Sequence, residues 1–119
     1  MEQMPVEALK EVAAYFQVLS EPTRLQVLNL LRTQEHNVGE LAEACGYTAA
    51  NMSRHLAVLM QQGFVKREGR GTSVYYQIAD PTIYALCDLV CDRIAQQHSE
   101  QAWPTAATPK KRATLRKAA

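Results

Sequence analysis

The stretch that most limits what this chain can fold into covers residues 48–78, TAANMSRHLAVLMQQG followed by FVKREGRGTSVYYQI. Its first half places Met52, Leu56 and Leu59 at the i, i+4, i+7 interval of one helix face. Its second half alternates Val74, Tyr76 and Ile78 against Ser73, Tyr75 and Gln77, behind a Gly69-Arg70-Gly71 turn. A helix running straight into a basic hairpin predicts a winged helix-turn-helix, a mainly α fold with a small β-hairpin wing.

The segments before it fit the same plan. Residues 5–18 carry an apolar seam of Val6, Leu9, Ala13 and Phe16, with Pro5 suited to the first turn. Ser20 is positioned to cap a second helix, since Glu21 and Pro22 both favour a first turn. Leu25, Val27, Leu28, Leu30 and Leu31 give that helix the widest apolar face, which makes it the expected centre of the core. Asn37 and Glu40 have the spacing of a capping box at the start of a short helix, 38–45, with Val38, Leu41, Ala42 and Cys45 turned inward. Gly46 suits the left-handed residue that ends such a helix, Tyr47 fills the turn, and Thr48 caps the next helix. A short helix, a three-residue turn and a longer helix is helix-turn-helix spacing.

After the wing, Asp80-Pro81 opens a fifth helix expected to reach about residue 101, with a seam of Ile83, Leu86, Cys87, Val90 and Ile94. A small core cannot use the stripes of both terminal helices, so a homodimer through the first and last helices is expected. From Trp103 the composition turns to Pro, Ala, Thr, Lys and Arg without periodicity. The expected division is a winged helix-turn-helix and dimerisation domain, 1–102, and a flexible basic tail, 103–119.

Charge bears on the choice of partner. The net charge of +1 conceals five Lys and Arg among the last ten residues, against 8 basic and 12 acidic groups in residues 1–102. Overall basicity therefore gives no reason to expect nucleic-acid binding; only local placement does. No apolar run approaches the ~18 residues of a membrane helix, and the acidic, periodic N-terminus is unlike a signal peptide. Three cysteines, an odd number outside any framework pattern, suit a reducing compartment, so a cytoplasmic location without membrane association is expected.

With Met52, Leu56 and Leu59 inward, Ala50, Arg54 and Gln61 point outward, flanked by Asn51 and Ser53. The N-terminal residues of a recognition helix reach base edges in the major groove. Arg54 suits guanine, Asn51 adenine, and Ser53 or Thr48 either a base or a phosphate. His55, beside the buried face, is open to two readings, a half-buried packing residue or a DNA contact. Lys66, Arg67 and Arg70 on the wing are expected to engage phosphates and set register. Tyr75 and Tyr76 are read first as packing residues. In a dimer the two recognition helices lie about 34 Å apart, which implies double-stranded DNA bearing an imperfect inverted repeat. The tail is expected to add salt-sensitive, non-specific affinity or simply to be solvated.

The runs LSEPTRLQVLNLL (19–31), VGELAEACG (38–46), MSRHLAVLMQQGFVKREGRG (52–71) and VYYQI (74–78) together resemble the ArsR/SmtB family of metal- and metalloid-responsive repressors, over roughly residues 10–100. The resemblance implies a homodimer that leaves its operator when an inducer binds. The family's arsenic site needs a Cys-x-Cys pair at the start of the third helix, where this chain has VGELAEA. Its zinc or nickel pattern on the last helix falls here on Ala85, Cys87, His98 and Gln101, only two of which can bind metal. The pairing of one cysteine near the second or third helix with one on the last, as in persulfide sensors, is loosely met by Cys45.

Cys87 and Cys91 remain, at i, i+4. Their Cβ atoms are expected roughly 5–6 Å apart, too far for a relaxed disulfide, which needs about 3.8 Å. Two thiolates closing on one soft atom, with bonds near ~2.3 Å, fit the span better. The resemblance makes trivalent arsenic or antimony the leading inducer. Two thiolates suffice for a methylated or other organic arsenical, whereas arsenite prefers a third, for which Cys45 is the candidate. Packing alone is the competing reading for all three thiols, because free cysteine packs well inside proteins.

Two alternatives stay open. In one, the same fold senses oxidants or persulfides through these cysteines; in the other, the winged helix serves only protein–protein contact. An enzyme is not expected, because no Ser/His/Asp constellation, phosphate loop or paired carboxylates occur at useful spacing. No resident cofactor is expected either.

Overall fold

The computed structural model of the chain describes residues 3–98. In order along the chain run α1 (Val6–Val18), α2 (Pro22–Leu30), β1 (His36–Asn37), α3 (Val38–Cys45), α4 (Ala49–Gln61), β2 (Val65–Arg70), β3 (Ser73–Ile78) and α5 (Thr82–His98). These elements fall into two compact units that divide between Asp80 and Pro81. The basic tail, and the boundary expected after residue 102, lie outside the described residues.

The first unit is a winged helix-turn-helix. Its helices α2, α3 and α4 pack on one another, and α4 also packs on β2. Val27 and Leu28 of α2, Leu41 of α3, and Met52, Leu56 and Leu59 of α4 are all buried. Each such side chain withdrawn from water stabilises the fold by roughly 1.5–3 kcal/mol. Phe64, buried between α4 and β2, meets Tyr15 of α1 with ring centroids 4.8 Å apart.

The ends of the helices follow from side-chain caps. At α3, Asn37 Oδ1 accepts from the Glu40 backbone N–H at 2.8 Å, and Glu40 Oε1 accepts from the Asn37 N–H at 3.1 Å. Gly46 ends α3 in the left-handed region, at φ 70°. Thr48 Oγ1 accepts from the Asn51 N–H at 3.1 Å and so starts α4. The cap of α2 differs from expectation. Glu21, not Ser20, is the N-cap; its carboxylate accepts from the Thr23 N–H at 2.7 Å. The cause is Pro22, which fills the first helical position and holds the residue before it in an extended conformation. The Ser20 hydroxyl instead donates to the Gln17 carbonyl at 2.7 Å and closes the end of α1.

The sheet has three antiparallel strands in the order β1-β3-β2. The sequence showed only two of them. β1 has two residues, too few for an alternation, and one of these, Asn37, is also the cap of α3. The hairpin turn is Gly71-Thr72, tighter than the Gly69-Arg70-Gly71 turn expected, since Arg70 still pairs with Ser73. Gly71, at φ 63°, supplies the left-handed conformation that this two-residue reversal needs. Because strand side chains alternate, Lys66, Glu68 and Arg70 share one face with Ser73, Tyr75 and Gln77. Buried Tyr76 lies opposite Arg67 on the other face.

Apolar side chains stay exposed on both terminal helices. On α1, Val6 is 60% exposed and Phe16 50%; on α5, Ile83 is buried whereas Leu89 is 68% exposed. No helix among the described residues is long and apolar enough to cross a membrane.

Candidate nucleic-acid interface

Helix α4 exposes a polar row opposite its buried face. Asn51, Ser53 and Arg54 are exposed, as are Ala50 and Gln61. Thr48, at the cap, is exposed too, and its oxygen already accepts one backbone N–H. Arg54 Nη1 donates to Asn51 Oδ1 at 3.4 Å.

His55 resolves towards packing. It is half-buried, its Nδ1 lies 3.3 Å from Arg24 Nη1, and its ring centroid lies 5.6 Å from that of Tyr47. An arginine can only donate, so Nδ1 is the accepting nitrogen of this contact. Arg24 Nε in turn donates to the Val18 carbonyl at 2.7 Å, and the Thr23 hydroxyl donates to Tyr47 Oη at 2.8 Å. The end of α1, the start of α2, the turn and the middle of α4 are thereby joined in one polar network.

The wing carries its cations unequally. Lys66 and Arg67 are exposed and enter no ion pair among the described residues. Arg70 is held by two carboxylates. Its Nη1 donates to Glu35, its Nη2 donates to Glu35 Oε1 at 2.7 Å and to Glu68 Oε1 at 2.8 Å. Gln77 Nε2 bridges the same two acids, at 2.8 Å from Glu35 and 2.9 Å from Glu68. The guanidinium also lies 5.1 Å from the centroid of the Tyr75 ring. Hydrogen bonds from Arg70 hold both carboxyls below the usual carboxylate range, and those bonds, Glu35's first, raise the arginine in return. Two acids around one base give a local charge of −1, so the wing tip is not the open cation that its sequence suggested. The missed partner is Glu35, which lies 35 residues away in the chain. Glu68, two positions from Arg70 on the same strand face, was the only local sign of such a cluster.

The cysteines are all thiols. Cys87 and Cys91 stand one turn apart on α5, Cys87 half-buried and Cys91 exposed. Cys45, the last residue of α3, is half-buried, and burial pushes its thiol up. Among the described residues no three His, Cys, Asp or Glu side chains are gathered for a metal ion. Gln101, expected at the fourth ligand position of the zinc pattern, lies outside the described residues.

A capped helix-turn-helix, an exposed polar row on its second helix and an adjoining three-stranded wing define a DNA-binding regulator of the winged-helix class. Comparison with known proteins takes this further. A family model described as bacterial regulatory protein, arsR family, matches residues 21–67. A transcriptional repressor SmtB homolog of Synechocystis is 32% identical over 95 residues, covering 80% of this chain and 72% of that protein. The crystal structure of Rv0081 from Mycobacterium tuberculosis has a TM-score of 0.71 at 32% identity, covering 82% of this chain and 97% of that one. The homodimeric winged helix-turn-helix domain of Mb0332 from Mycobacterium bovis has a TM-score of 0.68 at 32% identity, covering 84% and 94%. The chain belongs to the ArsR/SmtB family of metal-responsive transcriptional repressors, and is a DNA-binding regulator rather than an enzyme.

Proposed function

We propose that this chain is a dimeric repressor that occupies an imperfect inverted repeat in double-stranded DNA. It leaves that operator when trivalent arsenic, antimony or an organoarsenical binds Cys87 and Cys91. The observation that carries the inducer reading is the position of these two cysteines, one turn apart on α5 with Cys91 open to solvent. Thiolates select soft, thiophilic centres, and two of them on one helix face match a ligand with two exchangeable positions. Cys45 is the weaker candidate for a third ligand, because burial raises its thiol and so reduces the thiolate available to bind. In this proposal Thr48, Asn51, Ser53 and Arg54 enter the major groove, and Lys66 and Arg67 hold phosphates.

Binding at Cys87 and Cys91 would repack the middle of α5 at an interface between two copies and so change the spacing of the two recognition helices. A ligand moves such an equilibrium only by its differential affinity for the two states. A coupling of about 1–3 kcal/mol is a ~5–150-fold loss of operator affinity, enough for a switch.

The exposure of Cys91 also favours a second reading, in which an oxidant or persulfide modifies the same thiols. Titrating operator-bound protein with arsenite, methylarsenite and a polysulfide, followed by fluorescence anisotropy, separates the two. Release by the arsenicals at one equivalent per chain, abolished in Cys87→Ser and in Cys91→Ser but retained in Cys45→Ser, is expected. Normal release of the Cys87→Ser dimer by arsenicals would overturn the proposal, and release by polysulfide alone would select the second reading.

A further inference from the structure

The polar row on α4 is asymmetric in what it can offer a base pair, and this deepens the proposed operator reading, on which it rests. Thr48 Oγ1 already accepts the Asn51 N–H at 3.1 Å. Asn51 Oδ1 already accepts from Arg54 at 3.4 Å. A guanidinium has no acceptor, so this contact fixes which end of the carboxamide faces Arg54: the oxygen turns towards it and the NH2 turns away. Arg54 enters no ion pair among the described residues, in contrast to Arg70, and keeps the rest of its N–H fork unused. Along the exposed first turn and a half of α4, two side-chain oxygens are thus already engaged, while the Arg54 fork keeps donors to offer.

Adenine recognition by asparagine needs Oδ1 to accept from the base's N6 amino group while Nδ2 donates to N7. Here that oxygen is drawn along the helix to Arg54. Guanine, with acceptors at both O6 and N7 of its major-groove edge, is the base that a donor fork matches. We infer that Arg54 is the guanine-reading residue of each half-site and that Asn51 is its positioning residue rather than an independent reader of adenine. Asn51 acts by holding the guanidinium over the first turn of the recognition helix, where base edges are within reach. It reduces the rotamer freedom that a long exposed arginine would otherwise lose on binding.

The test is binding-site selection from a random duplex library with the full-length wild type, Arg54→Ala, Asn51→Ala and Asn51→Asp. Competition titrations at two salt concentrations accompany it, and circular dichroism verifies folding. The wild type is expected to enrich half-sites with a guanine at one fixed position. Arg54→Ala is expected to lose discrimination there by about 5- to 150-fold, the range for one bidentate contact. Asn51→Ala is expected to weaken discrimination at the same position by about 2- to 13-fold, the range for one ordinary hydrogen bond. It should have no further effect there in the Arg54→Ala background. Asn51→Asp, which keeps the acceptor, is expected to retain the guanine preference.

Three results would overturn the inference. Asn51→Ala relaxing an adenine at a different position would make Asn51 an independent reader. Arg54→Ala weakening every sequence alike, with a shallower salt dependence, would make Arg54 a phosphate contact. Half-sites enriched without any fixed guanine would refute the inference while leaving the operator reading intact. A wild type that enriches no sequence at all would overturn both.

Discussion

Arg70 illustrates how a single side chain's surroundings decide what its charge can do. With Glu35 and Glu68 hydrogen-bonded to it, and Tyr75 against its face, moving the guanidinium to a phosphate means giving up two carboxylates. Lys66 and Arg67 carry no such cost. Lys66→Ala and Arg67→Ala are each expected to reduce the slope of log K against log salt by about 1, whereas Arg70→Ala leaves it nearly unchanged. Competition binding across a salt series measures all three. A full unit lost in Arg70→Ala would show that the cluster opens on DNA. The same cluster makes a pH prediction. Glu35 and Glu68 have depressed values in the folded protein, so their contribution is present above the ordinary carboxylate range and is lost as pH falls through the depressed values. Thermal melts from neutral pH into acid should show this component in the wild type and not in Arg70→Ala. Because the cluster is solvent-exposed, its effect should shrink with added salt.

At the scale of elements, the caps are where local sequence and folded structure agree best. The Asn37–Glu40 box, the left-handed Gly46 and the Thr48 cap involve partners within a few residues, so α3 and the start of α4 could be read from the sequence. Thr48→Ala and Asn37→Ala are each expected to cost about 0.5–2 kcal/mol, measured by urea denaturation. Gly46→Ala meets no atom within 4 Å of the added Cβ, so its expected cost, about 1–2 kcal/mol, comes from backbone conformation alone. A neutral Gly46→Ala would mean that the turn relaxes out of the left-handed region. What the sequence did not yield has long-range or competing causes. β1 exists because His36 and Asn37 find Tyr76 and Tyr75 about forty positions on, a pairing that two residues cannot advertise. Ser20 lost its capping role because Pro22 placed the helix start one residue later. The candidate site was legible to the same degree: Asn51, Ser53 and Arg54 emerge on the exposed face as the periodicity requires. The bonds within the candidate site, Arg54 to Asn51 and Arg70 to Glu35, depend on side-chain conformations that no spacing encodes.

At the scale of the whole molecule, the question is what the exposed stripe of α1 is for. Val6, Leu9 and Phe16 lie on one helix face and are 60%, 40% and 50% exposed, more apolar surface than an isolated small helix usefully shows to water. Phe16 meets Tyr15 edge-on, with ring centroids 5.9 Å apart, while Tyr15 packs against buried Phe64. Substituting charge at the outer positions should therefore leave the folded unit intact while removing whatever covers the stripe. In the proposed dimer the cover is α1 of a second copy, and a two-fold axis is also what gives an inverted repeat its symmetry. Val6→Glu combined with Phe16→Glu is expected to sediment as a monomer at micromolar concentration while keeping its helical circular dichroism. Operator affinity should fall by about 100-fold or more, because each half-site is then bound without the effective concentration supplied by the other. Binding to an isolated half-site should change little, which separates loss of pairing from damage to α4. If the variant stays dimeric and binds the full operator normally, α1 is dispensable to the pairing and α5 must carry it. The apolar side chains that α5 leaves exposed, Leu89 and Val90, would then be the next to receive charge, on the helix that also carries Cys87 and Cys91.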